Sequence, residues 1–478
     1  MSPPAPYPHQ LEAARLLAEN NNFALLAEMG AGKSRMICLD LEYKIQHQGL
    51  KNLLVVAPSG AYRNWEGELE KWLSPDQWKA LKLFTWVSGK SKPKDLNEFL
   101  NYDGPRVRVL LMNVEALSRV VAARQGLVNF LKSAPTMWVI DESQSIKAPD
   151  SLRTKFIVSV AHLAKWRRIL TGMVAPENPL NVYSQFDFLD NKILGFRNFF
   201  GFRARYAITR KVDFRQGGRP VDIVVGYRHV DELHKRIAGH SYRVRTADVV
   251  NLPPRIYMPL RHVDMTAEQS KAYMEMKRRA MTEIDGKFVT AQIAAAVLTK
   301  LHNILCGHVI EEGGEVLDVP SHRVEALLEL LSDHSGKAII WAPYPRFLSK
   351  IAEALTKEYG PESTVKFWGE TSNEDRQIAK QRFQEDPKCR WFVSNQSVGG
   401  EGNTLTAATL VVYAANSWKN SERQQSEARA HRIGQSLPVT YVDLCCRGSM
   451  EEKLIKALRS KMDLAALISG DKVREWLV

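Results

Sequence analysis

Apolar residues gather in short unbroken runs, and each run is followed by a stretch with helical spacing. In the first two-fifths of the chain the runs are FALLAEMG from Phe23, NLLVVAPS from Asn52, VRVLLMNV from Val107, TMWVIDES from Thr136 and RRILTGM from Arg167. A strand covered on both faces is apolar at successive positions rather than alternate ones, and a parallel crossover needs a helix. The pattern predicts a doubly wound α/β lobe. The same rhythm returns with KAIIWAP from Lys337, then VKFWG, RWFVSN, ATLVVYAA and VTYVDLCC, predicting a second lobe. Between them, from Gly195 to Arg323, basic and aromatic residues (FRNFFGFRARYAITRK) give way to helix formers (QSKAYMEMKRRAMTEI). The expected organisation is a first lobe over 1–194, a mostly helical insert and linker over 195–323, and a second lobe over 324–478. Gly217-Gly218 and Pro253-Pro254 mark a turn and a break within the insert.

Length changes the picture little: 478 residues are too many for one core and suit two or three packed units. A content of 45% hydrophobic and 25% charged residues is that of an ordinary soluble protein. The formal net charge of +13 favours a polyanionic partner, but charge alone fits nucleic acid, an anionic membrane surface, or nothing specific. Cys38, Cys306, Cys389, Cys445 and Cys446 form no CxxC pair and no zinc-ligand rhythm with histidine, and so are expected as reduced, buried thiols. The opening MSPPAPYPHQ lacks the apolar core of a signal peptide, and no run is long enough to span a bilayer, so a cytoplasmic protein without a membrane partner is expected.

Three segments carry candidate chemistry. Ala27-Glu-Met-Gly-Ala-Gly-Lys33-Ser34 follows an apolar run and precedes a helical stretch. Small residues let backbone N–H groups turn onto phosphates, so Met29, Gly30, Ala31 and Gly32 would cradle a nucleotide, with Lys33 on its terminal phosphates and the Ser34 hydroxyl on Mg²⁺. The usual first glycine is here Ala27. Asp141-Glu142 ends an apolar run, where a phosphoanhydride hydrolase needs its acidic pair: Asp141 to hold Mg²⁺, Glu142 to orient and polarise the attacking water. Arg429 and Arg432, spaced i and i+3, would share one helical face and act as arginine fingers from the second lobe.

These segments resemble the superfamily-two helicases, and specifically the Swi/Snf class of DNA translocases, whose final motif ends in the string Arg-Ala-His-Arg-Ile-Gly-Gln found here from Arg429 to Gln435. The resemblance implies two RecA-like lobes, ATP with Mg²⁺, and a DNA track. It makes Gln10, in Tyr7-Pro-His-Gln10, the reader of the adenine edge. It places Asn64, Trp65 and Asn113 on the DNA backbone, and Gly400 and Gly402, in Val398-Gly-Gly-Glu-Gly-Asn-Thr404, at the cleft and DNA face. The tail Gly448-Ser-Met-Glu-Glu-Lys453 resembles the family's closing brace helix. Asp141-Glu-Ser-Gln144 departs from the family's Asp-Glu-Ala-His, and Leu170-Thr-Gly-Met173-Val174 from its coupling motif Leu-Thr-Gly-Thr-Pro. The implied activity is DNA-stimulated ATP hydrolysis by a monomer moving on duplex or branched DNA. A strand-separating DNA or RNA helicase, and a nucleic-acid-binding scaffold without catalysis, are the alternatives.

Overall fold

The computed structural model describes residues 3–172, 178–212, 221–249, 252–284, 291–310, 314–399 and 404–460. The chain divides into two compact units, Met1–Asn251 and Leu252–Val478. This boundary falls inside the stretch 195–323, so the two ends of the expected insert belong to different bodies. Its long elements are helical, Ala267–Ile284 and Ala291–Leu305 among them, but it also holds two antiparallel hairpins that no apolar run announces.

The first unit contains β1 (Asn22–Ala27), β2 (Asn52–Ala57), β3 (Leu81–Thr85), β4 (Val107–Asn113), β5 (Thr136–Ile140), β6 (Trp166–Thr171), the hairpin β7 (Ala207–Val212) and β8 (Val221–Tyr227), and β9 (Ser241–Val244). Seven of these form one parallel sheet in the order β3-β4-β2-β5-β6-β1-β9. The five predicted strands occupy its interior and are almost wholly buried. The two strands without a predictive run, β3 and β9, are its edges, where half the side chains meet solvent and an unbroken apolar run is not required. Alternate residues feed two cores, with Leu54, Val56 and Trp138 on one face of the sheet and Leu53, Val55 and Val139 on the other. From the aromatic and basic run, Phe202 and Tyr206 pack against each other and Tyr183 in the first of these cores, while Arg205 pairs with Glu232 at the surface.

One buried ion pair ties three of the unit's elements together. Arg168, on β6, is fully buried and donates to Asp40 at 2.8 Å. Asp40 belongs to the helix Lys33–Gln48, which follows β1. The remaining guanidinium N–H groups reach the carbonyls of Leu17, Asn20 and Asn21 at 2.8, 2.9 and 2.6 Å, at and just past the end of the helix Pro8–Glu19. The Leu17 and Asn20 carbonyls are acceptors the helix leaves unpaired, and a cation suits that end of the helix dipole, while the Asn21 carbonyl, past the helix, also accepts from the Arg167 N–H at 2.9 Å. Lys44 lies 4.0 Å from Asp40, yet burial pushes it down to about 8.

The second unit contains β10 (Arg255–Tyr257), β11 (Arg261–Val263), the hairpin β12 (His308–Ile310) and β13 (Val316–Asp318), then β14 (Lys337–Trp341), β15 (Thr364–Phe367), β16 (Trp391–Ser394), β17 (Ala408–Tyr413) and β18 (Val439–Cys446). Its parallel sheet runs β10-β18-β17-β14-β16-β15, and β11 adds to the far half of β18. Helices Ala267–Ile284 and Ala291–Leu305 share a core with Glu451–Arg459, the expected brace. Arg323, fully buried, joins this layer to the sheet by bonding Glu451 and the Ala414 carbonyl, and His302 bonds the other Glu451 oxygen at 3.0 Å. Burial alone would raise the Glu451 carboxyl, but the Arg323 charge and the His302 bond hold it at about 2.

Arg168→Ala leaves Asp40 buried without its 2.8 Å partner and takes a donor from the Leu17 and Asn20 carbonyls, and should cost the first unit about 3–5 kcal/mol, read by chemical denaturation as a lowered midpoint at unchanged slope. Lys44 adds a pH dependence. Between pH 8 and its ordinary value of 10.5, the unfolded chain holds a proton here that the folded chain has shed, so stability rises with pH in that window. Lys44→Met should flatten that rise in a stability profile from pH 7.5 to 10.5.

Candidate nucleotide site

The strand order β5-β6-β1 sets three carboxyl ends side by side, where the candidate residues lie: Asp141 and Glu142 after β5, Thr171 as the last residue of β6, and the loop Glu28–Gly32 after β1. In open parallel sheets this edge, where successive crossovers leave toward opposite faces, is where ligands bind. The loop turns at Gly30 and Gly32, whose φ angles of 87° and 85° are open to glycine but strained for other residues. Gly32 caps the helix Lys33–Gln48, which aims the N–H groups of its first turn, Ser34 among them, toward the loop. Lys33 Nζ donates back to the Ala27 carbonyl at 2.9 Å. A neighbouring segment grips the loop from behind: Thr246 donates its N–H to Glu28 at 3.1 Å and its hydroxyl to the Met29 carbonyl at 3.2 Å.

Gln10 is buried against this loop. Its amide nitrogen faces the Ala31 carbonyl at 3.5 Å, and its oxygen accepts from the Tyr7 N–H at 3.0 Å. A Cβ on Gly32 would overlap that amide nitrogen. His9 Nε2 donates to the same Ala31 carbonyl at 2.9 Å, and so supports the loop, a role that the motif Tyr7-Pro-His-Gln10 did not assign to it.

At the end of β5, the half-buried Asp141 accepts from the Trp65 indole N–H at 3.0 Å on Oδ2 and from the Glu142 N–H at 2.9 Å on Oδ1. Burial and the adjacent Glu142 charge push its carboxyl up to about 6, against the opposing pull of Lys33 and the two hydrogen bonds. Glu142 sits at φ 47°, a left-handed conformation rare outside glycine and found where surrounding contacts impose it. Gln144 supplies one such contact, donating to Glu142 at 2.7 Å while its oxygen accepts from the Thr171 hydroxyl at 3.1 Å. The glutamine that replaces the family's usual histidine therefore links β6 to the candidate base. Ser143 is anchored to Gln185 at 2.5 Å. Two hard oxygen donors, a hydroxyl on Ser34 and a carboxyl whose ionisation burial opposes, are a set that a small divalent cation would suit.

Three sequence-based expectations change. Trp65 is only 2% exposed and its N–H is committed to Asp141, so it lies in the core beneath the acidic pair and not on a surface open to DNA. Asn113 is likewise buried and bonded to Ser88 and Glu115. Asn64 remains at a half-exposed position at the start of the helix Asn64–Trp72. Arg432 does not share a helical face with Arg429, because the helix Asn420–Ala430 ends two residues before it. His431 ends that helix by donating Nε2–H to the Pro253 carbonyl at 2.7 Å and accepting from Arg255 on Nδ1 at 2.9 Å, a neutral ring in keeping with a pKa lowered by burial. Arg429 is buried, its Nε on the Gln425 carbonyl at 3.1 Å, while Arg432 is partly exposed. Gly400, Gly402 and Met173 lie outside the described residues.

A parallel sheet with a glycine-bent loop after one strand and paired carboxylates after a near neighbour is the layout of nucleotide-binding α/β proteins. The SNF2-related domain matches residues 9–306 and the helicase conserved C-terminal domain residues 322–434, so the chain belongs to the SNF2-related family. It is 24% identical to the TATA-binding protein-associated factor MOT1 of Saccharomyces cerevisiae over 93% of its length and 26% of that protein. It is also 24% identical to the human DNA annealing helicase and endonuclease ZRANB3, over 95% of its length and 40% of that protein. The chain thus spans less than half the length of these relatives. The Sulfolobus solfataricus SWI2/SNF2 ATPase core in complex with dsDNA aligns at 22% identity and a TM-score of 0.42, over 99% of this chain and 95% of that one.

Gly32→Ala should weaken nucleotide binding both through its positive φ and by displacing Gln10. In a double-mutant cycle with Gln10→Ala, measured by titration of a fluorescent nucleotide, the two losses should fail to add by about 0.5–3 kcal/mol.

Proposed function

We propose that this protein hydrolyses ATP under stimulation by DNA and uses the cycle to move along duplex DNA. The observation that carries the reading is the convergence of Lys33, the Asp141–Glu142 pair and Thr171 at the carboxyl ends of three adjacent strands. Lys33 and the N–H groups of the glycine-bent loop bind the phosphates, and Gln10 and His9 hold the loop in shape. Glu142, with its carboxylate fixed by Gln144, accepts the proton of the attacking water and orients it. Magnesium, held by Ser34 and Asp141, would neutralise charge on the phosphates. Thr171 reports to Glu142 through Gln144, which gives β6 a means of altering the base without touching nucleotide. Arg429 and Arg432 are assigned to the charge that develops on the transferring phosphoryl group.

Duplex DNA as the track rests on the family's character, on a name among its relatives that speaks of DNA annealing, and on the net charge of +13. All five cysteines are free and buried, as suits a reducing cytoplasm, and among the described residues no helix is long and apolar enough to cross a membrane.

The test is phosphate release with and without duplex DNA. Lys33→Ala should abolish stimulated turnover while duplex binding survives. Glu142→Gln should keep ATP bound but unhydrolysed. Arg429→Ala and Arg432→Ala should each lower turnover by something like 10³- to 10⁵-fold with little change in ATP affinity. Turnover above about a tenth of normal in both arginine variants would remove their assignment. A chain that no duplex stimulates would remove the motor reading.

A further inference from the structure

We propose that Trp65 is a positioning residue for the divalent cation, setting the orientation of the Asp141 carboxylate and tying it to the helix Asn64–Trp72; this rests on the nucleotide-site reading above. The indole has one polar atom, a donor that cannot accept, and it is spent on Asp141 Oδ2 at 3.0 Å. The Glu142 N–H occupies Oδ1 at 2.9 Å. With one donor on each oxygen the carboxylate plane is fixed, and the lone pairs that remain are those available to a cation. The ring that carries this donor is 2% exposed and packed with Tyr62, Leu69 and Leu53, so it has no freedom to follow a rotating carboxylate. Trp65 is also the second residue of its helix, next to the half-exposed Asn64. Any displacement of that helix start is therefore passed to Asp141 through a rigid ring and a single hydrogen bond. Donors that orient metal-binding carboxylates in this manner govern metal affinity by roughly ten- to hundredfold.

Trp65→Phe removes the N–H and keeps an aromatic ring, and Trp65→His restores a ring N–H. Binding of Mn²⁺ with ADP, followed by the loss of the free-ion electron paramagnetic resonance signal, should weaken by roughly ten- to hundredfold in Trp65→Phe and recover in part in Trp65→His. Stimulated turnover in Trp65→Phe should fall at limiting Mg²⁺ and return toward normal with excess Mg²⁺. Unchanged Mn²⁺ affinity in a folded Trp65→Phe, or a turnover loss equal at every Mg²⁺ concentration, overturns the proposal. Asp141→Asn separates the two levels: if it too binds Mn²⁺ normally, the nucleotide-site reading itself has failed. Should Trp65→Phe not fold, the unsubstituted chain labelled with ¹⁵N-tryptophan decides the matter, because an indole resonance assigned through Trp65→His must shift when Mg²⁺ and ADP are added, and its constancy overturns the proposal.

Discussion

The pairing of Arg168 with Asp40 is the constraint on which the first unit's site depends. A charge buried without its partner is far more costly than the pair is beneficial, so the two elements carrying these residues cannot separate independently. One is the helix that begins at Lys33, and the other is β6, which ends at Thr171. The same guanidinium also holds the end of the helix that starts beside Gln10. Phosphate loop, relay threonine and loop-supporting glutamine are thereby positioned by a single side chain that touches none of them. Cations placed this way act at a distance through rigid helices, and the accuracy they give is what a phosphate site needs.

The second unit uses the same device twice. Arg323 and Glu451 lock the helical layer to the sheet, while Arg423 binds Asp443 and, at 2.7 Å, Glu427. Tyr257 donates to Glu427 at 2.9 Å and Arg459 to Asp443 at 2.7 Å, so that the first strand of the unit and its last described helix meet on one network. Much of the string that marks the family is thus structural. His431 and Gln435 serve backbone carbonyls, with Gln435 bonding those of Thr406, Ala408 and Ala430. Arg429 precedes these two residues and Arg432 lies between them, so the turn they fix carries the string's second arginine.

Interior strands were legible because burial on two faces demands unbroken apolar runs, and nine of them stand where those runs predict, as does β15, an edge strand that is still mostly buried. Edge strands β3, β9, β10 and β11 were not, since partial exposure removes the demand and leaves nothing for periodicity to register. The phosphate loop and acidic pair were legible as local strings. Trp65 was not, because its hydrogen bond spans 76 positions of chain and a tryptophan near a surface motif looks the same whether its ring faces outward or inward. The end of the helix before Arg432 escaped for a related reason: His431 is drawn off the helical path by Pro253 and Arg255, nearly 180 positions earlier. Gln144 was visible as a departure from the family, but only the structure gives it two partners.

The position of β9 has a mechanical consequence. It is an edge strand parallel to β1, and the chain leaves its carboxyl end past Thr246 toward the boundary at Asn251. Tension applied to the connecting chain along the strand direction loads the β1–β9 bonds together, in shear, where opening them one by one would be far easier. The first groups to feel that load are Thr246 and its two bonds to Glu28 and Met29. Tension in that direction therefore reaches the phosphate loop through Thr246 before it can peel the sheet.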